Sequence, residues 1–322
     1  MKASVVIPTK DPGKIFIRVL DQTLTQKTPW PFEIIVIDSG SKDGTVEYAQ
    51  TKPGVEVIPI PPQSFGHGRT RNLAISRARG EFVALLTHDA LPADDQWLVN
   101  LVGAVEQHSS IAGAFGRHLA YPHASPFTKR DLENHFAGFL AHPLIVNRYI
   151  DEQRYEQDLG WRQFLHFYSD NNSCLRRSVW EKLPYPDVEF AEDQIWALRI
   201  IEAGWSKAYA PEAVVYHSHD YTVIDSLRRA FDEAAAFRRL FGYRLGGSPR
   251  NMVRSIVGLS ARDRAWAKSN GVSSSTARKR VLQDVALVIG HGLGARADSL
   301  PAWVQARVSR DRRMFNSLPV SG

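Results

Sequence analysis

The sequence predicts an α/β fold: a mostly parallel, Rossmann-like sheet flanked by helices and followed by a helical C-terminal extension. Two observations carry this prediction. Short apolar runs alternate with helical stretches over the first ninety residues, the pattern of strands joined by crossover helices. From Tyr221 onward the apolar spacing becomes helical throughout. SVVIP is the first strand, Lys14 to Thr25 the first helix, and EIIVIDSG the second strand. A helical stretch from Thr45, the strand VEVIPI, a helix near Arg69 to Arg79 and the strand FVALL follow. FVALL, Phe82 to Leu86, is apolar at every position, as expected of a strand covered on both faces. The boundary implied by the change of pattern divides the chain into residues 1–222 and a basic helical region, 223–322.

A chain of 322 residues with 43% hydrophobic content can bury a substantial core, which excludes a disordered protein. The single cysteine, Cys174, permits neither an intramolecular disulfide nor a cysteine zinc cluster and points to a reducing, cytoplasmic setting. MKASVVIPTK lacks the apolar region and cleavage site of a signal peptide, and no run reaches the ~18 apolar residues of a membrane span. The net charge of +6 is uneven. Residues 223–322 hold 18 Lys and Arg against 7 Asp and Glu, a net of +11, leaving −5 for the rest. Such a block suits anionic lipid, nucleic acid or an acidic partner, or is a solvated helix face.

In open parallel sheets ligands bind beyond the carboxyl ends of the strands. The first strand ends at PTKDP and the second at DSGSKDGT, where Gly40 and Gly44 allow close backbone bends. Asp38 either caps the turn that follows or accepts a hydrogen bond from a ligand's imide or hydroxyl. No GxGxxG or Walker loop is present, which argues against dinucleotide oxidoreductases and P-loop kinases. FVALL runs into Thr87-His88-Asp89, AVVYH into His217 and His219, and the acidic pair Glu192-Asp193 opens an amphipathic helix. Arg69 and Arg71 stand two apart, so only one of them can face a given site from a helix.

Taken in order, IPT, DSGSKDGT, GRTRNLAISRARGEF, the strand ending THDA, and AEDQIWALRI resemble a family 2 glycosyltransferase of the GT-A fold over about residues 3–220. HDALP, NNSCLRRSVWEKLPY and VVYHSHDYT are most similar to bacterial rhamnosyltransferases of surface-polysaccharide synthesis. The resemblance implies a catalytic domain over 1–222 and a nucleotide-sugar donor, dTDP-L-rhamnose or a UDP-sugar. It also implies a glycan or lipid-linked acceptor and inverting transfer assisted by Mg2+ or Mn2+. Thr9, Asp38, Arg71, His88 and Asp89 would surround the donor, with Asp38 facing a pyrimidine imide. Asp89 would be a metal ligand, joined by His217 and His219. Asp193 would be the catalytic base and Glu192 its positioning neighbour. The family's usual Asp-x-Asp is here Thr87-His88-Asp89, so one carboxylate is missing and the cation should be held weakly.

Residues 121–169 are rich in aromatics and histidines, as an acceptor-facing insertion or as ordinary core. Asp170-Asn171-Asn172 is placed to meet sugar hydroxyls. The basic helices can pack on the catalytic domain, pair subunits, or rest on the inner face of the cytoplasmic membrane. Two other classes are disfavoured. A nucleotidyltransferase requires a glycine-rich basic loop where this chain has PTKDPGK, and a nucleic-acid-binding protein is not expected from a tail without a zinc motif and with few aromatics.

Overall fold

A computed structural model describes residues 1–188 and 190–310. The chain divides into two compact units, residues 1–124 with 128–218, and residues 125–127 with 219 onward. Residues 311–322 of the basic helical region lie outside the described residues.

Among the described residues, the first unit is built on nine strands: β1 (Ala3–Thr9), β2 (Phe32–Asp38), β3 (Val55–Pro59), β4 (Phe82–Leu86), β5 (Leu91–Pro92), β6 (Ile111–Leu119), β7 (Ile145–Val146), β8 (Asn172–Arg176) and β9 (Ser206–Tyr216). They form one sheet in the order β3-β2-β1-β4-β8-β6-β9-β5, with β7 paired to β9. From β3 to β4 every pairing is parallel, as the alternation of strand and helix predicts. Beyond β4 the sheet is mixed. β8 enters antiparallel to both β4 and β6, β6 and β9 run parallel, and β5 and β7 return antiparallel to β9.

The chain leaves β1 for β2 and β3 on one side, then crosses to β4 on the other. Loops diverge at this reversal, beyond the carboxyl ends of β1, β2 and β4, the position at which open parallel sheets bind ligands. Side-chain alternation sends Val5 and Ile7 into one core layer, with Phe16 and Leu20 of the helix Lys14–Leu24 and Leu98 and Leu101 of the helix Trp97–Glu106. Val6, Ile35 and Ile37 face the other layer, with Ala74 and Ile75 of the helix His67–Arg77 and Trp196 and Ile200 of the helix Glu192–Glu202.

The aromatic stretch 121–169 supplies much of the second layer. Phe136, Phe139, Trp161 and Leu165 are buried there, and Phe115 meets Phe139 and Phe167 edge-on while stacking on Tyr209. Asn172 is likewise interior. Its amide accepts from Trp97 Nε1 at 2.8 Å and donates to the Ala213 carbonyl at 2.8 Å, bracing β8, so it is not available to a sugar hydroxyl.

The second unit is helical: Val223–Phe241, Pro249–Ser269, Ser274–Gly294 and Ala302–Val308. Thr222, Ser248 and Ser273 cap the first three through their hydroxyls. The helices Val223–Phe241 and Ser274–Gly294 meet backbone to backbone. A Cβ at Gly290 would overlap the Leu227 carbonyl and reach 2.8 Å from Ala230 Cβ; one at Gly294 would overlap the Phe231 carbonyl. Among the described residues no helix is long and apolar enough to cross a membrane.

Candidate active site

The parallel register sets Thr9 opposite Asp38 at the ends of β1 and β2. Thr9 Oγ1 donates to Asp38 Oδ2 at 2.9 Å, the backbone N–H groups of Gly40 and Ser41 donate to Oδ1 at 2.8 Å each, and the Ser41 hydroxyl donates to Oδ2. Only 1% of Asp38 is exposed. Its carboxylate therefore anchors the loop, and a base edge seeking it must displace the Ser41 hydroxyl. The neighbouring loop is laced to it, since Asp11 Oδ1 accepts the Lys42 N–H at 2.7 Å and Asp43 Oδ2 the Gly13 N–H at 2.7 Å. Gly40 adopts the left-handed φ of 86° that this bend requires.

At the end of β4 the chain turns through Thr87, His88 and Asp89, all partly exposed. β9 delivers His217 alongside, its N–H bonded to the Leu119 carbonyl at 2.9 Å, and His217 Nε2 lies 3.6 Å from Asp89 Oδ1. His219 is two residues further along the chain. Ligand atoms of Asp89, His217 and His219 all lie within 4.8 Å of one another. Thr87, in the place of the missing carboxylate, has a buried Oγ1 without a hydrogen-bond partner. One carboxylate, two imidazoles and an orphaned hydroxyl suit a divalent cation of borderline hardness. His88 lies beside them, but its side chain makes no hydrogen bond among the described residues.

The third component is acidic. Ala191 takes a left-handed φ of 58° and turns the chain into the helix Glu192–Glu202, so both acids stand in its first turn. Glu192 is buried and paired with Arg71 Nη1 at 2.5 Å; Arg71 Nε lies 3.3 Å from Asp170 Oδ2. Asp170 is held further by Ser173 and Tyr185, whose hydroxyls donate at 2.7 and 2.9 Å. Asp193 is partly exposed, and its Oδ2 accepts the Asp170 N–H at 3.3 Å. Enclosure first, then the charges of Glu192 and Asp170, push the Asp193 carboxyl well above the usual carboxylate range, with Arg71 opposing them. Burial likewise raises Asp170, again against Arg71.

Arg71 is 5% exposed, with its guanidinium paired to Glu192 and Asp170. Asp170 is part of the same buried ion cluster. Arg69 points outward, its Nε 3.2 Å from Asp187, so only one of the two arginines turns inward, as their spacing requires. Sequence reasoning missed Tyr185, which has no local motif, and His118, a lone histidine within β6. His118 is 4% exposed, edge-on to His217 with ring centroids 5.4 Å apart, and its Nε2 is buried without a partner. Burial foremost, then the neighbouring imidazoles, push it well below its ordinary value.

A sheet of this topology, with its strand-tip loops gathered at the point of reversal, is of the GT-A type. The chain belongs to the glycosyl transferase family 2, whose family model matches residues 4–183. It is 32% identical to the O-antigen chain rhamnosyltransferase RfbN of Salmonella typhimurium, over 100% of this chain and 98% of that protein. It is 28% identical to WbaN of Salmonella anatum, also an O-antigen chain rhamnosyltransferase, over 99% and 97%. Among solved structures, the mannosyltransferase PcManGT of Pyrobaculum calidifontis, in complex with GDP-Man and Mn2+, superimposes with a TM-score of 0.59 at 18% identity, covering 93% of this chain and 88% of that one.

Proposed function

We propose that the protein is an inverting rhamnosyltransferase that moves L-rhamnose from dTDP-L-rhamnose to a hydroxyl of a glycan or lipid-linked glycan during surface-polysaccharide synthesis, at the cytoplasmic face of the membrane. The observation that carries this reading is the end-to-end 32% identity to RfbN, which extends through the helical region as well as the sheet. Fold alone would leave the sugar open.

The residues divide the work. The Thr9–Asp38 loop shapes the base end of the donor site, and Asp89, His217 and His219 would hold Mg2+ or Mn2+. When bound, the cation neutralises charge on the departing diphosphate as a Lewis acid. Asp193 takes the proton of the attacking acceptor hydroxyl, and its raised proton affinity brings it nearer the working pH, where a general base is most effective. Glu192, clamped by Arg71, fixes the start of the helix and hence the Asp193 side chain. Attack opposite the leaving group inverts the anomeric centre.

Nucleotide release from dTDP-L-rhamnose, UDP-glucose, UDP-GlcNAc and GDP-mannose, each with Mn2+ and a lipid-linked glycan extract, tests the donor. At least tenfold preference for dTDP-L-rhamnose supports the reading. Preference for a UDP-hexose replaces the donor, and turnover of none removes the activity.

A further inference from the structure

His118 lies on β6 opposite Val215 of β9, two residues before His217. One side of its ring meets Phe136 at 4.7 Å between centroids, and the ring of His217 stands against it at 87°. Packing of this kind is served as well by phenylalanine, which carries no polar atom to bury. Instead the chain encloses a nitrogen, Nε2, with no hydrogen-bond partner, beside a proposed cation ligand. Buried polar atoms in native proteins are nearly always paired, with protein, ordered water or an ion, so an orphan beside a proposed cation ligand calls for a partner of that kind. His118 falls outside the group of close ligand atoms formed by Asp89, His217 and His219, so direct coordination is not what the geometry offers. Mg2+ and Mn2+ in oxygen-poor sites retain water, and a retained water lying behind the ligands needs a hydrogen-bonding group on the protein side.

We propose that His118 is a positioning residue of the cation site, its buried Nε2 hydrogen-bonding a water that the cation retains next to His217. The inference rests on the proposed cation site but assigns a residue that the site's own motif does not contain. His118 thereby couples the hydration of the cation to the β6–β9 pairing and holds the His217 ring in its ligating direction.

The test is Mn2+ binding to the full chain, without donor or acceptor, read by the free-Mn2+ electron paramagnetic resonance signal. His118→Phe keeps the ring and removes the nitrogen; His118→Gln restores a polar group of similar reach. His118→Phe is expected to weaken Mn2+ binding ~10–100-fold with an unchanged circular dichroism spectrum, and His118→Gln to recover at least part of the loss. Wild-type affinity in His118→Phe overturns the role of His118, whereas absence of Mn2+ binding by the wild-type protein overturns the cation site itself and the inference with it. Because His118→Phe risks misfolding, 15N-histidine spectra of the wild-type protein supply a second readout. Adding Mg2+ should shift the His118 Nε2 resonance, and an unmoved resonance in a protein that binds Mg2+ overturns the proposal.

Discussion

Replacing Arg71 by methionine keeps the length and packing of the side chain but removes the guanidinium that lies between Glu192 and Asp170. Both carboxylates are almost fully enclosed, so neither can recover its hydration once the cation is gone. Breaking a buried pair in this way costs about 3–5 kcal/mol, a large part of the ~5–15 kcal/mol that holds a typical domain together. The loss must depend on pH, and its sign follows from proton binding. Asp170 and Asp193 are already raised, and Arg71 opposes both shifts, so its removal sends them higher. Between the ordinary value near 4 and the raised folded value, the folded state binds more protons than the unfolded state. Stability therefore falls as pH climbs through that window and is level above it. Each further tenfold gain in proton affinity relieves about 1.4 kcal/mol of the deficit once the pH is brought below the new value. Urea unfolding of Arg71→Met and wild type, followed by tryptophan fluorescence at pH 5 and pH 8, should show the full 3–5 kcal/mol deficit at pH 8 and a smaller one at pH 5. A deficit under about 1 kcal/mol at pH 8, or one equal at the two values, would refute the account of the ion cluster.

Asp193→Asn should bind donor with near wild-type affinity in calorimetry while transfer falls ~10²–10⁴-fold, and near-normal turnover at saturating substrates would exclude it as the base. In the wild-type protein the rate should rise with pH through an acid limb well above 4, because Asp193 acts only when deprotonated and its carboxyl is raised; a limb at the ordinary carboxylate value would contradict that environment. Chelation by EDTA should abolish transfer and millimolar-range Mg2+ or Mn2+ restore it, with Asp89→Ala unresponsive to added cation; full activity in EDTA would assign diphosphate neutralisation to basic side chains. The excess of basic residues from Val223 onward, 18 against 7, predicts sedimentation with anionic liposomes at low salt and release at ~0.5 M NaCl. Duplex DNA that strips the protein from the liposomes would point to nucleic acid instead.

What the sequence disclosed, and what it withheld, follows from distance along the chain. The placing of Thr9, Asp38 and Asp89 at neighbouring strand ends was legible because a parallel sheet brings strand tips together whatever else happens, and each stands at the end of an apolar run or within three residues of it. The partners of Arg71 were not. Glu192 is 121 residues away, and a pairing of this kind has no local pattern. The direction of β8 was equally silent, because NSCLR is a strand in either orientation and only its place between β4 and β6 makes it antiparallel. Aromatics in 121–169 have the same composition whether they stack on a sugar or on Phe115, and the structure resolves Phe139 and Phe167 as core. His118 gave no signal because its significance lies in an unpaired atom, a property of surroundings and not of spelling.

The glycine contacts between the helices Val223–Phe241 and Ser274–Gly294 constrain how this sequence can drift. Most surface positions of a helical unit accept substitution within a few tenths of a kcal/mol. Gly290 and Gly294 do not share that freedom, since even a methyl group at either would press on a carbonyl of the facing helix and force the axes apart. Ala230 and Ala234 opposite them are limited in the same way. A homologue that retains this helix pair must retain small residues at these four places, however far its arginines and valines have diverged. Two glycines four apart, facing two alanines four apart some sixty residues earlier, thus form a fingerprint by which the helical unit can be traced in chains whose overall similarity has faded.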